Sequence, residues 1–145
     1  MIFEPAAVLC LTIVTVMVHA VGTFAVLAGL SRVWRIQNET QMPFVALLHI
    51  LGVVSVLLVL HWIEAAIWAV VYLYIGAMPD FKTSMYFSLT SYTTLGYGDV
   101  VLPVEWRLLG PFEGAVGILM FGWSTGVMVA TIGRLYGRRL QLSDE

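Results

Sequence analysis

Residues 79–103 read PDFKTSMYFSLTSYTTLGYGDVVLP and lie between two long apolar runs of the chain. Pro79 interrupts the preceding run and Asp80 is a favourable N-cap residue, so a short amphipathic helix is predicted over 81–92. At about three turns, this helix is too short to cross a bilayer. Non-helical backbone at membrane depth, such as the glycine-containing stretch that follows, is tolerated only where protein buries it or it lines water. The segment is therefore predicted to be a re-entrant loop.

Two glycines alternate with larger residues in Leu95-Gly96-Tyr97-Gly98. Glycine adopts left-handed backbone conformations at little cost, whereas other residues pay about 1–2 kcal/mol. Alternating left- and right-handed residues turn successive carbonyl oxygens toward one side, and a row of carbonyls can replace the hydration shell of a cation. The hydroxyl of Thr94 can extend that row. The side chains of Leu95 and Tyr97 are then expected to point away and pack.

Composition places the chain in a membrane. It is 60% hydrophobic and 11% charged, with a mean hydropathy of +0.92, whereas soluble domains are about 45–50% apolar and about 25% charged. Three runs are long enough to span a bilayer: 6–30, 44–78 and 108–133. We predict an all-α membrane protein with three spanning helices and a re-entrant helix. A fourth span would require the second run to divide near Glu64.

The ends of these runs carry further expectations. The first run exceeds the apolar core of a signal peptide and has no basic residue before it, so we interpret it as a retained span. Gly133 and Gly137 are expected to end the third span.

The net charge of −2 gives no electrostatic case for nucleic-acid binding. Cys10 is the single cysteine and forms neither an intrachain disulfide nor a cysteine metal site alone.

The basic residues predict the orientation of the spans, because cytoplasmic loops carry an excess of Lys and Arg. Five of the seven follow the first or third span; they are Arg32, Arg35, Arg134, Arg138 and Arg139. The segment between the second and third spans has only Lys82 and Arg107. We therefore expect residues 79–107 and the N-terminus outside and the C-terminus in the cytoplasm, in a plasma membrane or a bacterial inner membrane.

The loop sequence Thr94-Leu95-Gly96-Tyr97-Gly98-Asp99, preceded by Ser91-Tyr92-Thr93, resembles the selectivity-filter signature of the potassium channel family, T-V-G-Y-G-D. The resemblance implies K⁺ sites formed by the backbone carbonyls of the filter and the Thr94 hydroxyl; the filter residues are Thr94, Leu95, Gly96, Tyr97 and Gly98. Because one chain has one filter and K⁺ is coordinated with four-fold symmetry, it also implies a homotetramer among membrane lipids. K⁺ is then the permeant ion, with no cofactor and no organic substrate.

This resemblance covers roughly residues 44–136, the family's unit of outer helix, pore helix, filter and inner helix. The expected organisation is an additional span and cytoplasmic loop over 1–42, the pore module over 43–136, with its inner helix over 108–133, and a short cytoplasmic tail over 137–145. The role of the first span is not indicated by the sequence.

One position departs from the family pattern. Many bacterial members have Glu in the pore helix at the place of Thr90, where it pairs behind the filter with the Asp. Thr90 cannot make that charged contact, so we expect Asp99 to accept a hydrogen bond from Tyr86 or from a water. These three residues and Thr93 are expected to support the filter. No arginine-rich span precedes the pore, so no voltage sensor is expected, and the gating stimulus is not indicated.

Glycines recur along the third span, at Gly114, Gly117, Gly122 and Gly126. The spacing of Gly122 and Gly126 permits close helix approach. The resemblance to potassium channels implies that a glycine here serves as a bending point of the inner helix. It also makes Thr125 a candidate cavity-lining hydroxyl below the filter. Tight packing alone is the alternative interpretation, and the two are compatible.

Three ionisable residues lie inside the predicted spans. His61 and Glu64 share a helix face, and Glu113 lies near the outer end of the third span, so we expect all three at similar depth behind the short helix. They are either a hydrogen-bond clamp, a pH sensor acting through His61, or interfacial groups without a role. His19 and His49 form a further pair that could meet and bind a metal or haem, although no motif supports this.

Three functions follow from these patterns. The first is a potassium-selective channel, which performs no chemistry and is not an enzyme. The second is a membrane-embedded redox or metal protein using His19, His49, His61 and Glu64, which metal analysis would distinguish. The third is a non-selective pore or a regulatory subunit, which a reversal potential would distinguish. An active transporter is disfavoured, because neither inverted repeats nor a phosphate-binding loop is evident.

Overall fold

The computed structural model describes residues 3–36 and 43–143, with side chains described for Ala6, 8–29 and 44–134. Within these residues the chain contains α-helices, turns and one short 3₁₀ helix (Val104–Trp106), and no strand. The α-helices are α1 (Phe3–Ile36), α2 (Pro43–Tyr74), α3 (Phe81–Tyr92) and α4 (Leu109–Ser143).

Three segments are long and apolar enough to cross a membrane: Val8–Gly29, Phe44–Tyr74 and Val104–Arg134. Helices that are apolar on all sides are stable only where lipid or protein surrounds them. The protein is therefore an all-α integral membrane protein, as predicted. Since α2 runs without a break through Glu64, the alternative of a fourth span is wrong.

The last helix is longer than predicted. Helix α4 continues through Gly133 and Gly137 to Ser143, so the expectation that these glycines end the helix is wrong, whereas the candidate span ends at Arg134, close to the predicted end, and the cytoplasmic tail stays a prediction. A glycine inside a helix costs only about 1 kcal/mol relative to alanine, and the arginines and leucine that follow are good helix formers. Some charges used for orientation lie outside the described residues; they are the side chains of Arg32, Arg35, Arg138 and Arg139.

Helix α3 spans the residues predicted for it, Phe81–Tyr92. Asp80 adopts an extended conformation before the helix and accepts a hydrogen bond from the Thr83 amide across 3.0 Å. The Thr83 hydroxyl donates to the second carboxylate oxygen across 2.8 Å. These bonds hold the pKa of Asp80 below its ordinary value, with the backbone bond the largest cause. The predicted N-cap is confirmed.

Helix α3 lies between α2 and α4, and one glycine allows its close approach to α4. A Cβ atom at Gly117 would lie 2.0 Å from the carbonyl oxygen of Tyr92, the last residue of α3. Around this contact the core is built from apolar and aromatic side chains, among them Trp68, Tyr72, Phe87, Leu109 and Met120. Gly117 therefore sets the distance between the end of α3 and the third span.

Helix α1 packs against both α2 and α4. Its buried residues recur every fourth position, which places one stripe toward the core; they are Leu11, Thr15, His19 and Thr23. The Trp68 indole of α2 donates to the Thr15 hydroxyl across 3.1 Å. The opposite face exposes apolar side chains to the surroundings of the chain; they are Leu9, Ile13, Met17, Val21 and Phe24. The first span is thus part of the fold.

Candidate functional site

Residues 93–99, here called the 93–99 loop, follow α3 directly and alternate in backbone handedness. Thr94 has φ 59°, Gly96 has φ 53° and Gly98 has φ 79°, so every second residue is left-handed. The sequence predicts this at the glycines but not at Thr94. A β-branched residue is strained in the left-handed region, and such strain concentrates at functional sites. The residue type at position 94 gives no indication of the left-handed conformation.

Backbone hydrogen bonds tie the loop to the end of α3. The amide of Thr94 donates to the Ser91 carbonyl across 2.9 Å, and the amide of Gly96 donates to the Thr90 carbonyl across 3.0 Å. These bonds use helix-end carbonyls that have no partner inside the helix. Among the described residues, no hydrogen bond ends on the carbonyl oxygens of loop residues 94–97. The loop therefore carries a row of free acceptors.

The side chains between the left-handed residues are covered only in part by the described residues. Leu95 is 55% exposed and Tyr97 is 67% exposed. The packing expected of these side chains therefore stays a prediction, since it would need a surface that the described residues do not supply. Beside the loop lies an open cavity of about 570 Å³, whose lining includes Thr94, Gly98 and Ile118. Large apolar side chains next to an open apolar cavity mark a surface suited to a protein contact.

The Tyr86 hydroxyl donates to an Asp99 carboxylate oxygen across 2.7 Å, which is one of the two contacts that the sequence left open for Asp99. Donation to the carboxylate raises the pKa of Tyr86 above its ordinary value. Thr90 does not take part, because its hydroxyl donates to the Phe87 carbonyl of its own helix. The Thr93 hydroxyl likewise donates within α3, to the Leu89 carbonyl. Support of the loop by Thr90 and Thr93 stays a prediction.

A comparison with protein families matches residues 44–134 to the family described as "Ion channel". The chain belongs to this ion channel family. Searches of curated proteins and of solved structures found no match. The assignment points to the passage of ions rather than to catalysis. In this ion channel the matched region begins in α2 and ends in α4, so it includes α3 and the 93–99 loop and leaves out α1.

The predicted buried residues of the channel separate into two clusters. In the first, His19 Nδ1 lies 2.8 Å from Glu64 Oε1, and His61 Nδ1 lies 3.4 Å from Glu64 Oε2. Tyr92 donates to Glu64 Oε2. The hydroxyl of Ser124 lies 3.3 Å from His19 Nε2 and 3.0 Å from His61 Nε2. This cluster, here called the histidine cluster, joins all four α-helices.

The second cluster surrounds Glu113. Tyr72 donates to Glu113 Oε2 across 2.7 Å. The Ser88 hydroxyl is bonded to Glu113 Oε1 and also lies 2.6 Å from the Ala65 carbonyl oxygen. The carboxyl group thus connects α4 to α2 and α3 and is separate from the histidine cluster. From the sequence, Glu113 was grouped with His61 and Glu64 by depth, but in the structure Glu113 has its own set of hydrogen-bond partners.

The possible meeting of His19 with His49, for which the sequence offered no motif, is not observed. His49 lies beside the carbonyl of Val45 in its own helix, with 2.6 Å between Nδ1 and the oxygen, whereas His19 contacts Glu64 and His61. Tyr92 and Ser124 were not predicted as members of the cluster. For His19 a signal was available: Thr15, His19 and Thr23 are polar at a spacing of four in an otherwise apolar span, which indicates that this face of α1 contacts protein.

The candidate hinge and cavity residues lie on one exposed side of α4. No atom of a neighbouring element lies within 4 Å of a Cβ placed at Gly122 or Gly126. The Thr125 hydroxyl donates to the Phe121 carbonyl of its own helix across 2.9 Å, and the residue is exposed. Within the described residues these glycines therefore do not serve packing inside one chain. Their role as a hinge stays a prediction.

Proposed function

We propose that the protein is a potassium-selective channel with residues 94–98 as its selectivity filter. The observation that carries the proposal is the left-handed backbone at every second residue of this segment, Thr94, Gly96 and Gly98. Such alternation turns successive carbonyl oxygens toward one side, where they can replace the water around an ion. The absence of other hydrogen bonds to these oxygens in the described residues supports the same function.

In this proposal K⁺ is coordinated by the carbonyl oxygens of Thr94, Leu95, Gly96 and Tyr97 and by the Thr94 hydroxyl. No cofactor takes part, since the ion passes without covalent chemistry. Tyr86 and Asp99 brace the outer end of the filter through their hydrogen bond. The C-terminal end of α3 precedes the filter and carries partial negative charge, which favours a cation in front of it.

The working unit is proposed to be a homotetramer. One chain contributes one row of carbonyls, which cannot surround an ion, whereas four identical rows around an axis can. The exposed Leu95 and Tyr97 and the cavity beside them support this, because a neighbouring copy would cover them. On the axis, the exposed side of α4 with Gly122, Thr125 and Gly126 would line the cavity below the filter.

The orientation is proposed from charge. The filter side carries Lys82 and Arg107 only, and most basic residues follow the first and third spans. The C-terminus is then cytoplasmic and the filter opens to the outside. Labelling tests this: in a Cys10→Ser background, a membrane-impermeant maleimide added outside intact cells should label Glu105→Cys. Labelling only after the cells are opened would reverse the orientation.

The channel function is tested by reconstituting the purified protein in liposomes and measuring its reversal potential in opposed K⁺ and Na⁺ gradients. A potassium channel gives a reversal potential near that of K⁺. Gly96→Ala should abolish the selective current, because alanine at φ 53° is strained and shifts the carbonyl row.

Gly76→Ala is the matched control. Gly76 has φ 71° but lies in the turn between α2 and α3, outside the filter, so this variant carries similar backbone strain and should keep its selectivity. Equal K⁺ and Na⁺ permeability in the wild-type protein would instead indicate a non-selective pore. No current from the protein alone, with current on mixing with another pore-forming chain, would indicate a regulatory subunit.

A further inference from the structure

The histidine cluster has the composition of a metal site, which neither the family assignment nor the conduction of K⁺ requires. His19 on α1, Glu64 on α2 and Tyr92 on α3 are at most 1% exposed, and His61 on α2 is 6% exposed. The ligand atoms of His19, His61 and Glu64 all lie within 4.8 Å of one another. We propose that these four side chains bind one divalent transition-metal ion of the class represented by Zn²⁺.

Two of the distances between the candidate ligand atoms are close to those around one shared ion, and two are shorter. Zn²⁺ binds histidine nitrogen and carboxylate oxygen at about 2.0–2.2 Å, which separates neighbouring ligands of a tetrahedron by about 3.3–3.5 Å. Nδ1 of His61 lies 3.4 Å from Glu64 Oε2 and 3.1 Å from the Tyr92 oxygen. Nδ1 of His19 lies 2.8 Å from Glu64 Oε1. To bind the ion, Tyr92 would give up its hydrogen bond to Glu64 Oε2, and the Tyr92 oxygen and His19 Nδ1 would each move away from the Glu64 carboxylate.

Ser124 provides a second, independent feature of a metal site. Its hydroxyl oxygen lies within hydrogen-bonding distance of Nε2 on both His19 and His61. In the metal-bound protein, the two lone pairs of this oxygen can accept both Nε2–H groups, so that both Nδ1 lone pairs, which lie on the side of Glu64, bind the ion in place of a hydrogen bond to the carboxylate. Histidines that bind a metal almost always donate their other ring N–H to such a partner.

Charge balance favours this set of ligands in a membrane. A divalent ion carries two positive charges, which the carboxylate of Glu64 and the phenolate of Tyr92 compensate. A neutral complex avoids the large cost of an uncompensated charge in an apolar environment. Two imidazole ligands favour Zn²⁺ and its transition-metal neighbours over Mg²⁺ and Ca²⁺, which prefer oxygen. The protons displaced from the site leave to water when the ion binds.

The site would connect α1 to the filter, a consequence that rests on the proposed function. Tyr92 is the last residue of α3, and Thr93 and Thr94 follow it directly. A metal held by Tyr92, by His19 of α1 and by α2 would restrain the start of the filter from behind. The first span would then have a defined part in the channel although it lies outside the region matched to the family.

The test measures Zn²⁺ binding to the full-length purified protein after it has been stripped with a chelator. Competition against a fluorescent zinc chelator should give one Zn²⁺ per chain in the wild-type protein. His19→Gln and Glu64→Gln should lose this binding. X-ray absorption at the zinc edge should show nitrogen and oxygen ligands only; a sulfur ligand would point to Cys10 and overturn the site.

Two variants keep the test decisive. His49→Gln changes a histidine of α2 outside the cluster and should bind Zn²⁺ as the wild type does. Ser124→Ala retains all four ligands and should weaken binding about 10–100-fold through the loss of the outer hydrogen bonds. It decides the result if the ligand variants fail to fold. Equal Zn²⁺ binding by the wild-type protein, His19→Gln and Ser124→Ala would overturn the proposal.

Binding is measured without any requirement for ion conduction. A protein that binds Zn²⁺ but carries no selective K⁺ current would contradict the proposed channel function and leave the metal site standing. A protein that conducts K⁺ selectively and shows no binding dependent on His19 would contradict the metal site alone.

Discussion

The hydroxyl of Tyr86 donates to a carboxylate oxygen of Asp99 across 2.7 Å, which joins the middle of α3 to the end of the 93–99 loop. The bond spans a short stretch of sequence and lies at the exposed end of the loop. The Thr90 hydroxyl bonds within its own helix instead, while the Thr90 carbonyl accepts a hydrogen bond from the Gly96 amide. The side-chain connection between α3 and the end of the loop is therefore made by a neutral donor, the Tyr86 hydroxyl, which lies one turn before Thr90 in α3.

Removing this donor tests its part in the loop. Tyr86→Phe deletes the hydroxyl and keeps the ring, so the loop should lose its outer restraint. In the proposed potassium channel, the K⁺ current should then decline faster after activation. Current decay and K⁺ over Na⁺ selectivity in liposomes are the measurements. Thr90→Val, which removes a hydroxyl that is bonded only within α3, is the control and should decay as the wild type does. Equal decay in all three proteins would contradict the brace.

The contact between Gly117 and Tyr92 predicts a steric effect. In Gly117→Ala the new Cβ would lie 2.0 Å from a backbone carbonyl oxygen, which cannot rotate away. We expect a loss of about 1–3 kcal/mol or more in the free energy of unfolding, as for other overpacked sites. Thermal unfolding in detergent measures it. Gly52→Ala, where nothing lies within 4 Å, should be neutral or gain up to about 1 kcal/mol from helix propensity.

The docking of α1 predicts a polar effect. In Thr15→Val the Trp68 indole N–H loses its acceptor inside a fully buried contact. A buried donor without a partner costs about 1–3 kcal/mol, so the melting temperature should fall. Thr12→Val is the control, because the Thr12 hydroxyl bonds only to the Val8 carbonyl of its own helix. If both variants melt at the same temperature, the hydrogen bond between Thr15 and Trp68 contributes little to the stability of the fold.

The N-cap of α3 predicts a dependence of stability on pH. Hydrogen bonds from Thr83 lower the pKa of Asp80 in the folded protein, chiefly through the backbone amide. Its contribution to stability is therefore complete above the ordinary aspartate pKa of about 4 and is lost as pH falls through the lowered value. Melting temperatures from about pH 6 to about pH 2.5 should fall less in Asp80→Asn than in the wild type, because asparagine caps helices without ionising.

Glu105→Gln is the control for that comparison, since it removes an exposed acid of the same segment outside α3. Its melting temperature should follow the wild-type curve. If Asp80→Asn and the wild-type protein lose stability in parallel as pH falls, ionisation of the cap does not contribute to the stability of the fold.

Features defined by neighbours in sequence were predictable. The limits of α3, the Asp80 cap, the left-handed Gly96 and Gly98 and the bond from Tyr86 to Asp99 all follow from patterns within about twenty residues. The three spans follow from apolar length alone, because lipid requires long helices whatever their neighbours. The end of α4 was mispredicted for the same local reason, since two glycines suggest a helix end that good helix formers override.

The polar clusters required the assembled fold. His19 and Glu64 are 45 residues apart, and their contact depends on how far α1 is rotated and shifted against α2, which no local pattern encodes. In the observed rotation Thr15 of α1 contacts Trp68 and His19 contacts His61 rather than His49. Glu113 is likewise held by Tyr72 and Ser88, away from the histidines.

Hydropathy and short-range backbone preferences thus specified a membrane protein with three spans and a loop of alternating handedness. The arrangement of helices specified which buried groups meet, because helix rotation and depth result from side-chain contacts between distant segments. It also left Leu95 and Tyr97 uncovered, since one chain buries only the surfaces that its own helices can reach.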